Sequence, residues 1–129
     1  MPFDWSGFIS IAENLCDTKN DQASLRTSVS RAYYGVFGKV KIYCLAKYNL
    51  RDSFADGIHQ KIIGTLKESA NNQEYSLGNT LSQLRGSRND ADYNSHTSFS
   101  KPQVQEVIRK SKNLLVQLVN LNSEDNPDD

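Results

Sequence analysis

The chain has 129 residues, 37% hydrophobic and 23% charged, with 15 basic and 15 acidic side chains and hence no net charge. That length makes one domain, able to bury a core without a disulfide or a structural metal. The charge balance argues against nucleic-acid binding by bulk charge, and no run approaches the ~20 apolar residues of a membrane span.

Five helical segments are predicted and no strand pattern is found. The first runs from Asp4, a plausible N-cap, to Asp17, with Trp5, Phe8, Ile9, Ala12, Leu15 and Cys16 on one apolar face. Its approach, Met1-Pro2-Phe3-Asp4-Trp5, has neither a basic stretch nor a long apolar run, so the expected compartment is the cytoplasm. Asp17 to Asp21 reads as a turn. The second helix is long, Gln22 to Tyr48, with Leu25, Val29, Ala32, Val36, Val40 and Tyr43 in one stripe, widened by Tyr33, Phe37 and Cys44. Gly35 and Gly38 sit mid-helix, where each costs about 1 kcal/mol against alanine and marks the close approach of another backbone. Cys16 and Cys44 read as small buried hydrophobes of a reducing compartment, with too few neighbouring ligands for zinc.

Residues 49–55 read as a loop, and Asp56 as the cap of a third helix from Gly57 to about Ala70 with Ile58, Ile62, Ile63 and Leu66 inward. Asn71-Asn72-Gln73 breaks it, and a fourth helix follows from about Glu74 to Tyr93, weakened at Gly78 and Gly86, where a kink or an early end is expected. After a polar loop, Ser100 opens a capping box with Gln103, and Pro102 occupies the first turn, where its missing N–H does no harm. Val104, Val107, Ile108, Leu114, Leu115, Leu118 and Leu121 give the last amphipathic helix. The end, Glu124 to Asp129, carries four acids and no base and reads as a disordered tail after a single domain over 1–123. Without that tail the chain holds four more bases than acids, enough to permit a local phosphate-binding patch. The fold expected is an all-α, up-and-down antiparallel bundle of about five helices.

The densest chemistry lies at Leu84-Arg85-Gly86-Ser87-Arg88-Asn89-Asp90-Ala91-Asp92-Tyr93. Leu77, Leu81 and Leu84 continue onto Arg88 and Ala91, which aims an arginine at or beside the core, where a charge is costly unless paired. Arg85, Arg88, Asn89 and Asp92 share one face at i, i+3, i+4, i+7. Arg88 and Asp92 also form an i, i+4 pair with the base first. An arginine grips phosphate with two hydrogen bonds and keeps its charge, an amide orients a second oxygen, and an acid or phenol can move a proton. The same residues serve equally as a buried structural network. His59 and His96, taken singly, read as ordinary polar residues. No Gly-rich phosphate loop, Cys-x-x-Cys, His-Glu-x-x-His or Gly-x-Ser-x-Gly is present.

Ser30-Arg31-Ala32-Tyr33-Tyr34-Gly35-Val36-Phe37 on the second helix, followed by Arg88-Asn89-Asp90-Ala91-Asp92-Tyr93 on a later one, resembles small prokaryotic HEPN domain proteins of an Arg-x-x-Ala-Asp-Tyr type, over about Ala23 to Leu121. The resemblance implies a helical bundle that forms a symmetric homodimer and a metal-independent ribonuclease of toxin–antitoxin or phage-defence systems, with no cofactor and with a nucleotidyltransferase-type antitoxin as a partner of relatives. It places Arg88 on the scissile phosphate, with Arg31 and Arg85 as further phosphate or RNA contacts. Active members carry a histidine after the arginine with four to six residues between them. Here Tyr93, Asn94 and Ser95 hold those places and His96 follows one residue later, so His96, Asp92 or Tyr93 would replace the base, with Asn89 beside it. Three readings follow: a ribonuclease with Arg88, Asn89, Asp92, Tyr93 and His96 as catalytic residues; an inactive module binding RNA, a nucleotide or a protein; and a structural network in which Arg88 pairs with Asp92.

Overall fold

The structure, a computed structural model, describes residues 2–52 and 57–125, with side chains described as far as Ser123. Its elements are α1 (Gly7–Thr18), α2 (Gln22–Tyr48), α3 (Gly57–Lys67), α4 (Asn72–Tyr93) and α5 (Lys101–Asp125). No strand occurs among the described residues. Each helix packs on the next through a short connection, and α2 touches all four others, so the bundle is built around it. This central position explains why α2 is buried nearly all round. Val29, Ala32, Tyr33, Val36, Val40 and Cys44 have no accessible surface, and Ser28 and Ser30 are buried with them. Ser28 satisfies its hydroxyl by donating to the Ala12 carbonyl at 2.7 Å, as a buried polar group must.

Close approach to α2 requires its glycines. A Cβ on Gly38 would lie 2.2 Å from the Trp5 ring, and one on Gly35 would meet the Ile9 side chain at 3.0 Å, so α1 and its lead-in seat directly on the α2 backbone. α4 runs without a break through Gly78 and Gly86 to Tyr93, so neither glycine ends it early. At Gly78 the reason is packing, since a Cβ there would come within 2.9 Å of Leu66 on α3.

Helix ends were partly legible. The capping box forms as expected, with Ser100 N donating to Gln103 Oε1 at 2.8 Å and Gln103 N to Ser100 Oγ at 3.3 Å. α1 starts later than expected because Asp4 to Ile9 first makes a run of tighter turns. Ser6 holds the N-cap position, and Asp4 instead accepts from Ser6 N at 3.0 Å and Ser6 Oγ at 2.7 Å. Asp21, read as part of a turn, caps α2 by accepting from Ser24 N. α3 ends at Lys67 rather than near Ala70. Asn71 then starts α4 at Asn72, because its Oδ1 accepts from Gln73 N at 2.8 Å and Glu74 N at 3.1 Å, so the residues expected to break a helix begin one. The expected cap Asp56 and loop residues 53–55 lie outside the described residues. α5 extends to Asp125, and the remainder of the expected acidic tail, 126–129, also lies outside them. Cys16 and Cys44 are free and buried, and burial pushes the Cys44 thiol up to about 12. Among the described residues no helix is long and apolar enough to cross a membrane.

Candidate functional site: an arginine–aromatic face

The polar face of α4 meets the Ser30–Phe37 stretch of α2 and the first turn of α3. Arg88 is the centre of this meeting. Its side chain is only 11% exposed. Nη1 donates to Asn89 Oδ1 at 2.7 Å and Nη2 donates to the Tyr34 hydroxyl. Nε stands 3.1 Å from Asp92 Oδ2, an ion-pair distance without hydrogen-bond alignment. The Asp92 Oδ2 in turn accepts from the buried Ser30 Oγ at 3.2 Å, and Ser30 Oγ also accepts from Arg31 Nη2 at 3.4 Å. The arginine aimed toward the core is therefore compensated from both α2 and α4, as the cost of burying a guanidinium demands.

Aromatic rings and guanidinium groups alternate across the face. The Arg31 guanidinium carbon lies 5.1 Å from the Phe8 ring centre and 5.1 Å from that of Tyr34. The Arg88 guanidinium carbon lies 5.0 Å from the ring centre of Tyr34 and 5.7 Å from those of Tyr33 and Tyr93. A series of such contacts runs from Phe8 through Arg31, Tyr34 and Arg88 to Tyr93, with Tyr33 as a further ring beside Arg88. Such cation–π contacts contribute about 0.5–1 kcal/mol each where exposed and more where desolvated.

His59 enters this site from α3. Its Nδ1 is 2.7 Å from the Tyr33 hydroxyl, with donor and acceptor roles set by the tautomer. Its ring stacks on Phe37 at 4.0 Å and 19° and stands edge-on to Tyr34 at 6.0 Å. Tyr33 has no accessible surface. Burial pushes its phenol far above the usual tyrosine value although the charges of Arg85 and Arg88 oppose this, so Tyr33 stays a neutral hydroxyl. Arg85, one turn before Arg88, is half-buried, and its Nε is buried with no hydrogen-bond partner among the described residues.

The end of α4 is fixed by Arg26, a residue the sequence did not single out. From the first turns of α2 its guanidinium donates to the carbonyls of Ala91 at 3.0 Å and Asn94 at 2.8 Å and to that of Thr97. The Ala91 carbonyl is one that the end of α4 leaves without an internal partner, where a cation is favoured, and those of Asn94 and Thr97 belong to the loop that follows. Gln22 holds the following loop through both ends of its amide, donating to the Phe99 carbonyl at 2.7 Å and accepting from Phe99 N at 2.9 Å.

Of the residues expected at a site, Arg31, Arg88, Asn89, Asp92 and Tyr93 are joined by direct contacts, and Arg85 is close enough for its charge to act on Tyr33. His96 stands apart. It is exposed in the loop after α4, its backbone N donates to Asn94 Oδ1 at 3.0 Å, and it enters none of the contacts described for Arg88. Sequence reading missed Arg26, Ser30, Tyr33, Tyr34 and His59 as site residues. The first four had a signal: they lie at i, i+4, i+7 and i+8 on α2 and so share a face. His59 had none, because its neighbours are distant in sequence.

A second polar cluster sits where α2 meets the start of α4. Glu74 has no accessible surface, yet its carboxylate accepts from Ser69 Oγ at 2.6 Å and Lys47 Nζ at 2.9 Å and from the hydroxyls of Tyr43 and Tyr48. Burial alone would raise its pKa, but these four donors outweigh it and hold the carboxyl at about 2. Beside it, a groove of about 570 Å³ between α2 and α5 is lined by Lys39, Ile42, Tyr43, Ala46, Lys47, Leu118 and Asn122. Both of its lysines are committed, Lys39 to Asp4 at 2.9 Å and Lys47 to Glu74. Among the described residues no group of three or more His, Cys, Asp or Glu is arranged to hold a metal ion.

No family model, no curated protein and no solved structure matches the chain.

Proposed function

We propose that the arginine–aromatic face of α4 binds the phosphodiester backbone of RNA. The observation that carries this reading is Arg85. Arg88 donates from both Nη atoms to Tyr34 and Asn89 and pairs with Asp92, whereas Arg85 is half-buried beside it with no hydrogen bond or ion pair among the described residues. A guanidinium that the fold leaves without a partner on a half-exposed face can pair with a phosphate oxygen through its accessible N–H groups. Arg31 and Arg88 add positive charge to the same face. The motif resemblance to small prokaryotic HEPN proteins supports an RNA-related role and, with it, a homodimer. The test is binding of a labelled RNA by wild type and Arg85→Ala across a salt series. Loss of one phosphate contact lowers the slope of log affinity against log salt by about 1. An unchanged slope and affinity would remove Arg85 from the site and the reading with it.

Strand cleavage is a second reading, favoured by the position of His59. Its imidazole stands among Tyr33, Tyr34 and Phe37 on the Arg88 face, so a histidine reaches this face from another helix although none follows Arg88 at the family spacing. In that reaction the ribose 2′-OH attacks the adjacent phosphorus and its proton passes to the base. The bond to the 5′ oxygen breaks, and the leaving oxygen takes up a proton, giving 2′,3′-cyclic phosphate and 5′-hydroxyl ends. Incubation of RNA in EDTA with wild type, His59→Ala and His96→Ala tests it. Cleavage that survives His96→Ala and stops with His59→Ala is the expected result. Absence of cleavage by wild type leaves the face as a binding site.

A further inference from the structure

We infer that Tyr93 is a stacking platform for an unpaired nucleobase, so that the ligand of this face is single-stranded rather than duplex RNA. The inference rests on the phosphate-binding reading above and names the form of its ligand. It comes from the alternation of rings and cations. Within the series Phe8, Arg31, Tyr34, Arg88, Tyr93, the members Arg31, Tyr34 and Arg88 each have a cation–π neighbour before and after them at 5.0–5.7 Å. The series stops at Tyr93, which rests on Arg88 and is 75% exposed. A planar π system is what the exposed side of such a ring accepts, and every base has a π face.

The ring is also held in place. Tyr93 is the last residue of α4, and Arg26 grips the carbonyls of Ala91 and Asn94 on either side of it. A ring on a fixed backbone, with a cation beneath it, loses little freedom when a base settles on it. Spacing allows the two contacts to belong to one strand. Arg85, Asn89 and Tyr93 lie at i, i+4, i+8, which puts the first and last about 12 Å apart along the helix at ~1.5 Å per residue. A phosphate at Arg85 and a base at Tyr93 then come from neighbouring parts of the same strand, with the Asn89 amide between them. In a duplex both faces of each internal base are already stacked, so a duplex offers the phosphates but not the base.

The test uses the full chain and three probes: a short labelled oligoribonucleotide of mixed sequence, the same strand annealed to its complement, and the same backbone with abasic positions. Wild type, Tyr93→Phe, Tyr93→Ala and Arg85→Ala are compared by fluorescence anisotropy at low salt after matching for helicity. The expected result is that wild type binds the base-bearing single strand about tenfold more tightly than the other two probes. Tyr93→Ala should lose that preference, Tyr93→Phe should keep it, and Arg85→Ala should weaken all three probes alike. If Tyr93→Ala does not fold, Tyr93→Trp against Tyr93→Phe decides, since a larger ring should bind the single strand more tightly. Wild-type affinity in Tyr93→Ala, or in its absence no difference between Trp and Phe, overturns the stacking role while leaving phosphate binding intact. Failure of wild type to bind any probe overturns both.

Discussion

Two clusters in this bundle place tyrosines around a buried charge, and they differ in completeness. Around Glu74 the account closes: four donors converge on one carboxylate, and it carries its charge with no accessible surface. Around Arg88 it does not close. Both Nη atoms of Arg88 are hydrogen-bonded, but the Nε atoms of Arg85 and Arg88 are buried without a hydrogen-bond partner among the described residues, and the outermost ring, Tyr93, is open. Charge, burial and tyrosine content are similar in the two places, so none of these separates structure from site. The separating feature is whether the polar groups satisfy one another within the fold.

Substitutions can break this contrast, and the largest effect is expected at Glu74. Glu74→Ala leaves the Lys47 ammonium and two phenols without their common acceptor and should cost about 3–5 kcal/mol in urea denaturation. RNA binding per folded molecule should not change, because the cluster lies away from the arginine face. The same carboxylate gives the bundle a pH dependence of known sign. Its pKa is depressed from the ordinary 4.5 to about 2, so its contribution is fully present above pH 4.5 and is lost as the pH falls from 4.5 through 2. Glu74→Gln should flatten the stability profile in that window, and an unflattened profile would assign the acid sensitivity to other carboxylates.

Next comes Arg88→Ala, with an expected cost of about 1.5–3 kcal/mol from charged hydrogen bonds lost to Tyr34 and Asn89 and from an unpaired Asp92. Its effect on RNA affinity would be mixed with this loss and is a poor test of function. Arg26→Ala should follow at roughly 1–2 kcal/mol, since it uncaps α4 and frees the loop to Phe99, and proteolysis within residues 94–99 should report it.

Arg85→Ala sharpens the contrast most, because its predicted effect on stability is the smallest. No hydrogen bond or ion pair of Arg85 is seen among the described residues, so stability should fall by no more than about 0.5 kcal/mol, with removal of the unsatisfied Nε acting in the opposite direction, while RNA affinity falls. A large loss of stability would instead make Arg85 part of the internal network and erase the difference between the two clusters.

Much of the helical order was readable in advance because it depends on local chemistry. The stripe Leu77, Leu81, Leu84 predicted the buried face of α4, and Ser100 with Gln103 predicted the start of α5 to the residue. Errors fell where side chains compete for the same backbone N–H groups. At Asn71 and Asp4 the choice between breaking, capping and turning depends on which N–H the oxygen reaches. The Arg88–Asp92 pair was readable because i, i+4 spacing on a helix brings the two side chains together.

By itself, then, the sequence determined five helices, their inward stripes, a close approach at the glycines of α2, and the crowding of charge on one face of α4. Periodicity and capping act within a few residues and need no knowledge of the rest of the chain. Only the tertiary structure decided that His59 meets Tyr33 across 26 residues, that Glu74 rather than an arginine is the most completely buried charge, and that Arg26 holds the end of α4. The ladder from Phe8 to Tyr93 draws on three helices, and helix spacing says nothing about a partner on another helix. Those contacts exist because packing around α2 brings α1 and α4 to it together, and that packing is a property of the assembled core.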